Sequence, residues 1–253
     1  MGGPRDEGVA ELGRATSIIG LVPYRAVFFD AGETLVHPHP SFPELLSLVL
    51  REDGLEASPE AIRDRLPVVA DLFTRATEEG LLWSTSPERS RQFWATLYRT
   101  LLAELGLPFT ESLARRLYSV FTDVSNYRLF PDALPVLGKL RDAGLGLGLI
   151  SNFEEWLERL LEAVEVTSFF DVRVISGVEG IEKPDPRIFR VAMERLGTRA
   201  EESAYVGDNV TYDVDPARRL GMTAILLDRR DRHLDFAGLR IASLDELPAV
   251  LGL

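Results

Sequence analysis

The sequence predicts an α/β fold: a doubly wound parallel sheet with an all-helical block inserted after its first strand. Three observations lead there. A short apolar, aromatic run at 24–30 (YRAVFFD) ends on a carboxylate and stands apart from any other strand-like stretch. From Ser41 to Asn126 the apolar residues recur with helical period, and no strand pattern intervenes. After Pro131 strand-like and helical runs alternate to the end, the pattern of a parallel sheet covered by helices. Such a sheet needs the early run as a member, so the helical block is an insertion. The expected divisions are a leader over 1–22, a core of 23–36 and 128–253, and a helical domain over 37–127.

Taken in order, residues 1–22 contain Gly2, Gly3, Pro4, Gly8 and Gly13 without a clear period. They read as a poorly ordered leader with a short helix around 9–17. The run at 24–30 suits a buried strand, and the following AGETLVHPHP is rich in breakers and reads as a loop. Pro38 and Pro40 make it a stiff exit toward the helical block. There, Ser41, Ser58 and Ser86 each stand before a first-turn Pro and Glu, and Thr110 stands before Glu111. These are start signals for helices near 42–53, 59–79, 87–105 and 111–124, the second long enough to break around Pro67. Beyond the block, strands are expected at 146–150, 172–176, 203–206 and 223–227. Helices are expected at 132–142, 154–164, 186–196, 213–220 and 244–251.

Composition narrows the function. The chain has 253 residues, 40 acidic against 28 basic, and a formal net charge of -12. An acidic surface is a poor binder of nucleic acid or anionic membrane, so neither is expected as a partner. With no Cys, there are no disulfides, thiolate zinc sites, iron–sulfur clusters or Cys nucleophile. Apolar runs such as 145–150 fall far short of the ~18 residues of a membrane span. Asp6, Glu7 and Glu11 interrupt any signal-peptide pattern, which makes a cytoplasmic location the expectation. Lysine is scarce: only Lys139 and Lys183.

Ligands of a parallel sheet bind at the carboxyl ends of its strands. Those ends carry Asp30, Ser151-Asn152, Lys183 in GIEKPDPRIF, and Asp208 with Asp213 in VGDNVTYD. Singly, each has an ordinary structural role: a turn cap, a helix cap, a solvated cation, a turn. Together, carboxylates, a hydroxyl and an ammonium at successive ends describe a metal-assisted phosphate site. The carboxylates suit a hard cation such as Mg²⁺. The hydroxyl, amide and ammonium suit phosphate oxygens, and a carboxylate can attack phosphorus.

In order and spacing, FFDAGETL, LISN, EKPDPRIF and VGDNVTYD resemble the four motifs of the haloacid dehalogenase superfamily, in the branch whose helical cap follows the first motif. The resemblance spans residues 24–228 and implies a Rossmann-like core beneath that cap. It implies that Asp30 is the nucleophile that becomes an aspartyl-phosphate and also binds Mg²⁺. The carbonyl of Gly32 and Asp208 would be further metal ligands, with Asp213 orienting metal waters or Lys183. Thr34 and Ser151 would bind the phosphoryl oxygens with Asn152 nearby, and Lys183 would neutralise the nucleophile and the transferring group. The substrate would be a small phosphorylated metabolite.

One position departs from the pattern. The first motif is usually Asp-x-Asp-Gly-Thr, and here it reads Asp30-Ala31-Gly32-Glu33-Thr34. The second Asp, which protonates the leaving oxygen and then activates water, is Gly32. General acid–base help is worth ~10²–10⁴-fold in rate, so a low-turnover phosphatase is expected, with Glu33, His37 or water doing the proton work. The alternatives are a phosphate-binding or regulatory protein without useful turnover, and a 2-haloacid dehalogenase. Dehalogenases of this type also lack the second Asp, but they are metal-free and lack a carboxylate equivalent to Asp208. Phosphonoacetaldehyde hydrolases carry a small residue here but need a cap lysine, and 36–130 contains none. Arg51, Arg89, Arg91 and Arg128 are the candidate cap contacts for an anionic substrate; a solvated helix face is their ordinary role.

Overall fold

The computed structural model describes residues 24–253, so the leader expected over 1–22, with its short helix, lies outside the described residues. In chain order the elements are β1 (Ala26–Phe29), β2 (Val36–Pro38), α1 (Phe42–Glu52), α2 (Pro59–Glu78), α3 (Pro87–Glu104), α4 (Glu111–Phe121), β3 (Tyr127–Leu129), α5 (Ala133–Asp142) and β4 (Gly146–Ser151). There follow α6 (Leu157–Ala163), β5 (Val172–Ile175), α7 (Ser176–Glu179), α8 (Pro186–Leu196), β6 (Ser203–Gly207), α9 (Asp215–Arg219), β7 (Thr223–Leu227), β8 (Leu239–Ile241) and α10 (Leu247–Leu251).

Six parallel strands form one sheet in the order β5-β4-β1-β6-β7-β8. The chain winds outward from β1 one way, then returns to wind the other way. The reversal falls between β1 and β6, where the strand ends open a crevice. Phe29 is level with Leu149 on one side and Val206 on the other. Asp30, Ser151 and Asp208 therefore leave the sheet side by side.

Alternation along the strands builds two cores. Val27, Phe29, Leu147, Leu149 and Val206 face α5, α6 and α10. Ala26, Phe28, Ile150 and Tyr205 face Ile188, Phe189, Ala192 and Met193 of α8 and Ala217 of α9. Burying such side chains is worth roughly 1.5–3 kcal/mol each. Gly148 lies opposite Phe28, and a Cβ there would sit 2.3 Å from the ring, so the phenyl fills the space that a side chain would take.

Helices α1 to α4 have a core of their own, including Leu46, Leu50, Ile62, Leu97, Leu101 and Leu117. Their starts follow the sequence. Ser41, Ser58, Ser86 and Thr110 accept from the N–H of Glu44, Ala61, Arg89 and Leu113.

Several expectations need correction. Helix α2 does not break at Pro67. Proline removes one donor, but Pro67 and Arg63 are exposed, so water can serve the freed carbonyl while buried Ile62 and Val69 hold the two ends. The stretch read as a loop contains β2, which pairs antiparallel with β3 and sets His37 opposite Arg128. This ribbon joins the helical insertion to the core. Residues 213–220 are not one helix: a π-helical turn, Val210–Val214, precedes α9. Asn209 caps that turn through the N–H groups of Thr211 and Tyr212. Strand β8 and the short α7 are additional to the expected elements. Among the described residues no helix is long and apolar enough to cross a membrane.

Candidate active site

Strand β1 delivers Asp30, 7% exposed, into the crevice. Its Oδ1 accepts from Lys183 Nζ at 2.7 Å and Ser151 Oγ at 3.1 Å. Oδ2 accepts no hydrogen bond among the described residues. A tight turn follows, closed by Leu35 and Val36 N–H on the Ala31 carbonyl at 2.8 and 3.0 Å. Glu33 holds the left-handed conformation in this turn (φ 56°), at a cost of roughly 1–2 kcal/mol. Its carboxylate pairs with Arg230 at 2.8 Å. Thr34 is fully buried, and its Oγ1 has no hydrogen-bond partner. An ideal Cβ on Gly32 would meet only the Phe153 ring, at 3.8 Å.

Lys183 is the hub. Its ammonium reaches Asp30 Oδ1, Asp213 Oδ1 at 2.6 Å and the Tyr205 hydroxyl at 3.1 Å. Asn152 fixes the backbone that carries it: Lys183 N–H donates to Asn152 Oδ1 at 2.6 Å, and Asn152 Nδ2 donates to the Lys183 carbonyl at 2.8 Å. The Asn152 amide is thus engaged with protein rather than pointing free into the crevice. Burial alone would depress the lysine, but Asp213 and Asp30 more than offset it and push it up to about 12.

The π turn after β6 aims Asp213 back beneath the strand end. Its Oδ1 takes Lys183 and Tyr205, and its Oδ2 takes the Asn209 N–H at 3.1 Å. Gly207 is required for this approach, since a Cβ there would lie 2.4 Å from Asp213 Cγ. Asp208 is partly open to the cleft and accepts no hydrogen bond among the described residues. Burial, then Asp213 and Asp30, hold its carboxyl well above the usual range.

One oxygen each from Asp30, Asp208 and Asp213 lies within 4.8 Å of the others. Three carboxylates face a single ammonium, which leaves local negative charge without compensation. An all-oxygen donor set of this kind fits a hard divalent cation, with Asp30 and Asp208 as the carboxylates open to it. Asp213 stands behind, its oxygens already occupied.

The sequence did not reveal the supports. Arg229 pairs with Asp132 through two bonds of 2.7 and 2.9 Å, donates to the Thr34 carbonyl at 2.9 Å, and lies 3.9 Å over the Phe130 ring. Two carboxylates tie the helical insertion to the core. Glu154 accepts from Ser90 and Tyr118 at 2.6 Å, and Glu182 from Trp83 and Ser84. Proximity to motifs was the only available signal, Glu154 two residues after Asn152 and Glu182 beside Lys183.

Between insertion and core lies a cleft of about 760 Å³. Gly32, Asn152 and Asp208 line it on one side, Phe73, Trp83 and Trp94 on the other. His37 also lines it, its ring 4.5 Å from that of Phe130 and its Nδ1 donating to the Pro38 carbonyl at 2.8 Å.

The chain is similar to known proteins. The family model described as haloacid dehalogenase-like hydrolase matches residues 24–221. Haloacid dehalogenase-like hydrolase domain-containing protein 3 of Danio rerio is 32% identical, over 91% of this chain and 97% of that protein. Phosphoserine phosphatase of Thermus thermophilus is 32% identical, over 88% and 97%. A solved dehalogenase structure is 27% identical with a TM-score of 0.67, covering 90% of this chain and 96% of that one.

Proposed function

The chain belongs to the haloacid dehalogenase-like hydrolases, and from that premise we propose that it is a Mg²⁺-dependent phosphatase acting on a small phosphorylated molecule through an aspartyl-phosphate on Asp30. Asp208 is the observation that carries this reading: a carboxylate open to the cleft, without a donor, crowded by Asp30 and Asp213. Attack on carbon, as in a dehalogenase, leaves that carboxylate without a purpose. Phosphoryl transfer gives it one, as a ligand to the cation that offsets charge on the phosphate. When bound by Asp30, Asp208 and the backbone at Gly32, with Asp213 behind, Mg²⁺ would supply that neutralisation.

The chain's own residues divide the remaining work. Asp30 supplies the attacking oxygen, and Lys183 holds the carboxylate in place and spreads positive charge over the transferring group. Ser151 and Thr34 offer hydroxyls to phosphoryl oxygens; the unpartnered Thr34 Oγ1 supports that role. Asn152 and Asp213 act as positioning residues, one through the Lys183 backbone and the other through its ammonium. The helical insertion covers the strand ends as a cap. Gly32 contributes no acid or base, Glu33 is engaged with Arg230, and His37 Nδ1 with the Pro38 carbonyl, so water is left to hydrolyse the acyl-phosphate and turnover is slow.

The test is phosphate release from para-nitrophenyl phosphate with and without Mg²⁺, in wild type and Asp30→Asn. Release that needs Mg²⁺ and vanishes in Asp30→Asn is expected. Equal release by the two proteins would overturn the assignment. No release by either would favour a phosphate-binding protein that has lost turnover.

A further inference from the structure

We infer that the substrates are aryl phosphates, esters whose leaving group departs as a stabilised aryloxide, rather than phosphates of sugars or other alkyl alcohols. The inference rests on the phosphatase reading and on two independent features, one chemical and one of shape.

The chemical feature is the absence, among the described residues, of a side-chain acid at position 32; His37 lines the cleft, but its Nδ1 proton is given to the Pro38 carbonyl, which leaves Nε2 of the neutral ring an acceptor. Gly32 has no side chain, and the group closest to its Cβ position is the Phe153 ring at 3.8 Å. Glu33, next along the chain, pairs with Arg230. As Asp30 forms its bond to phosphorus, the ester P–O bond breaks and its electron pair leaves on the departing oxygen, which then takes a proton from water. Water next attacks phosphorus and breaks the Asp30–O–P bond, which yields inorganic phosphate and restores the carboxylate. Without an acid, the first step depends on how well the departing oxygen bears charge. A phenol ionises near ~10. An alkyl alcohol is closer to water at ~16. The site therefore handles the first class and fails on the second.

The shape feature is the cleft wall facing the strand ends. Phe73, Trp83 and Trp94 lie on it; Trp83 meets Phe73 edge-on with centroids 5.2 Å apart and stacks on Phe93 at 5.2 Å. Phe153 continues the aromatic surface down to Gly32. Polar side chains of the insertion that line the cleft are already spent on protein: Ser41 on Glu44, Ser84 on Glu182, Ser90 and Tyr118 on Glu154, Thr122 on its own helix. The exceptions are Trp83 Nε1, Trp94 Nε1, the Tyr98 hydroxyl and His37 Nε2, which have no partner among the described residues. None of Arg51, Arg89, Arg91 or Arg128 lines the cleft; the cations that do, Arg229, Arg230 and Arg232 with His233, belong to the core side, where Arg229 is engaged by Asp132 and Arg230 by Glu33. A sugar or an amino acid would find few free partners on such a wall, whereas an aromatic ring would pack against it and offer one or two acceptors.

The test measures kcat/KM with Mg²⁺ for phenyl phosphates of graded leaving-group acidity and for glycerol phosphate and phosphoserine, in wild type and Gly32→Asp. Wild type is expected to slow steeply as the leaving group becomes more basic, with both alkyl esters at least 100-fold below phenyl phosphate. Gly32→Asp should flatten the slope and raise the alkyl esters ~10²–10⁴-fold. In Asp30→Asn, calorimetric titration should show phenyl phosphate binding at least tenfold tighter than glycerol phosphate. Equal wild-type rates on alkyl and aryl esters, or equal binding, would overturn the aryl inference alone. No Mg²⁺-dependent release from any ester would overturn the phosphatase reading beneath it.

Discussion

Glu182 holds the helical insertion against the core, and its removal tests how the cleft is kept closed. Its Oε2 accepts from Ser84 N at 2.8 Å and Ser84 Oγ at 2.6 Å, and its Oε1 from Trp83 N at 3.2 Å. Both ends are buried, Glu182 at 5% exposure and Ser84 at 1%. In Glu182→Ala the Ser84 hydroxyl keeps Ser176 Oγ at 2.7 Å, but two backbone N–H groups lose their acceptor. Orphaned buried donors cost about 1–3 kcal/mol each. Part of that is offset, because burial holds the Glu182 carboxyl above its ordinary value and removing it relieves a buried charge. The net expectation is a loss of about 2–4 kcal/mol in urea unfolding, with faster proteolysis of 79–86 and a raised KM for aryl phosphates. Glu182→Gln keeps one carbonyl oxygen and should lose about half as much. Stability within ~0.5 kcal/mol of wild type in Glu182→Ala, with unchanged proteolysis, would refute the reasoning. The pH sign is also determined. A carboxyl raised above its unfolded value of 4.5 binds its proton more tightly when folded, so this group's contribution to stability falls as pH rises through the raised value. Mild acid should therefore raise, not lower, this group's contribution to stability.

Mg²⁺ at 100 times its Kd should stabilise the wild-type protein by about 2.7 kcal/mol, read as a thermal shift. Asp208→Asn should abolish that shift and raise the melting temperature of the metal-free protein, because it removes a carboxylate crowded by Asp213 and Asp30; an undiminished Mg²⁺ shift would exclude Asp208 as a ligand. Two glycine substitutions should part company. Gly207→Ala drives Asp213 off Lys183 and should cost about 3–5 kcal/mol, whereas Gly32→Ala meets only Phe153 and should stay within ~1 kcal/mol in the same denaturation assay.

What could be read from the chain alone follows the range of the forces involved. Buried parallel strands are apolar runs, and helix starts at Ser58-Pro59-Glu60 or Ser86-Pro87-Glu88 are local, so both announce themselves. The pairing of β2 with β3 joins segments about ninety residues apart, and nothing in VHP or YRL favours it over a loop. Pro67 misled because its local cost is outweighed by packing on either side. Of the residues singled out from the four motifs, Asp30, Ser151, Asn152, Lys183 and Asp213 form one hydrogen-bonded chain through Lys183, while Thr34 Oγ1 and Asp208 take no hydrogen bond among the described residues. Asn152 occupies the expected place with a different engagement, since its amide closes on the Lys183 backbone. Tyr205, Asp132 and Arg229 are not legible in the sequence, because a strand tyrosine, a turn aspartate and an arginine among many carry no spacing of their own.

The choice of lysine at 183 follows from donor geometry. An ammonium has three N–H bonds, and here each finds one acceptor: Asp30, Asp213 and the Tyr205 hydroxyl. These acceptors approach from β1, from the π turn and from β6, so they surround a point rather than lie in a plane. A guanidinium presents a flat fork, which suits the two oxygens of one carboxylate, as Arg229 shows on Asp132. A chain with 26 arginines that places one of its two lysines here is using the compact cation where a planar one could not meet all three partners. With its titration pushed up to about 12, that charge and the stability it brings are intact below the ordinary value of 10.5 and are lost only as pH rises through the raised value. Lys183 is thus a fixed charge rather than a proton donor at neutral pH. In the proposed reaction it would not supply the acid that Gly32 lacks, and the leaving group would carry that burden itself.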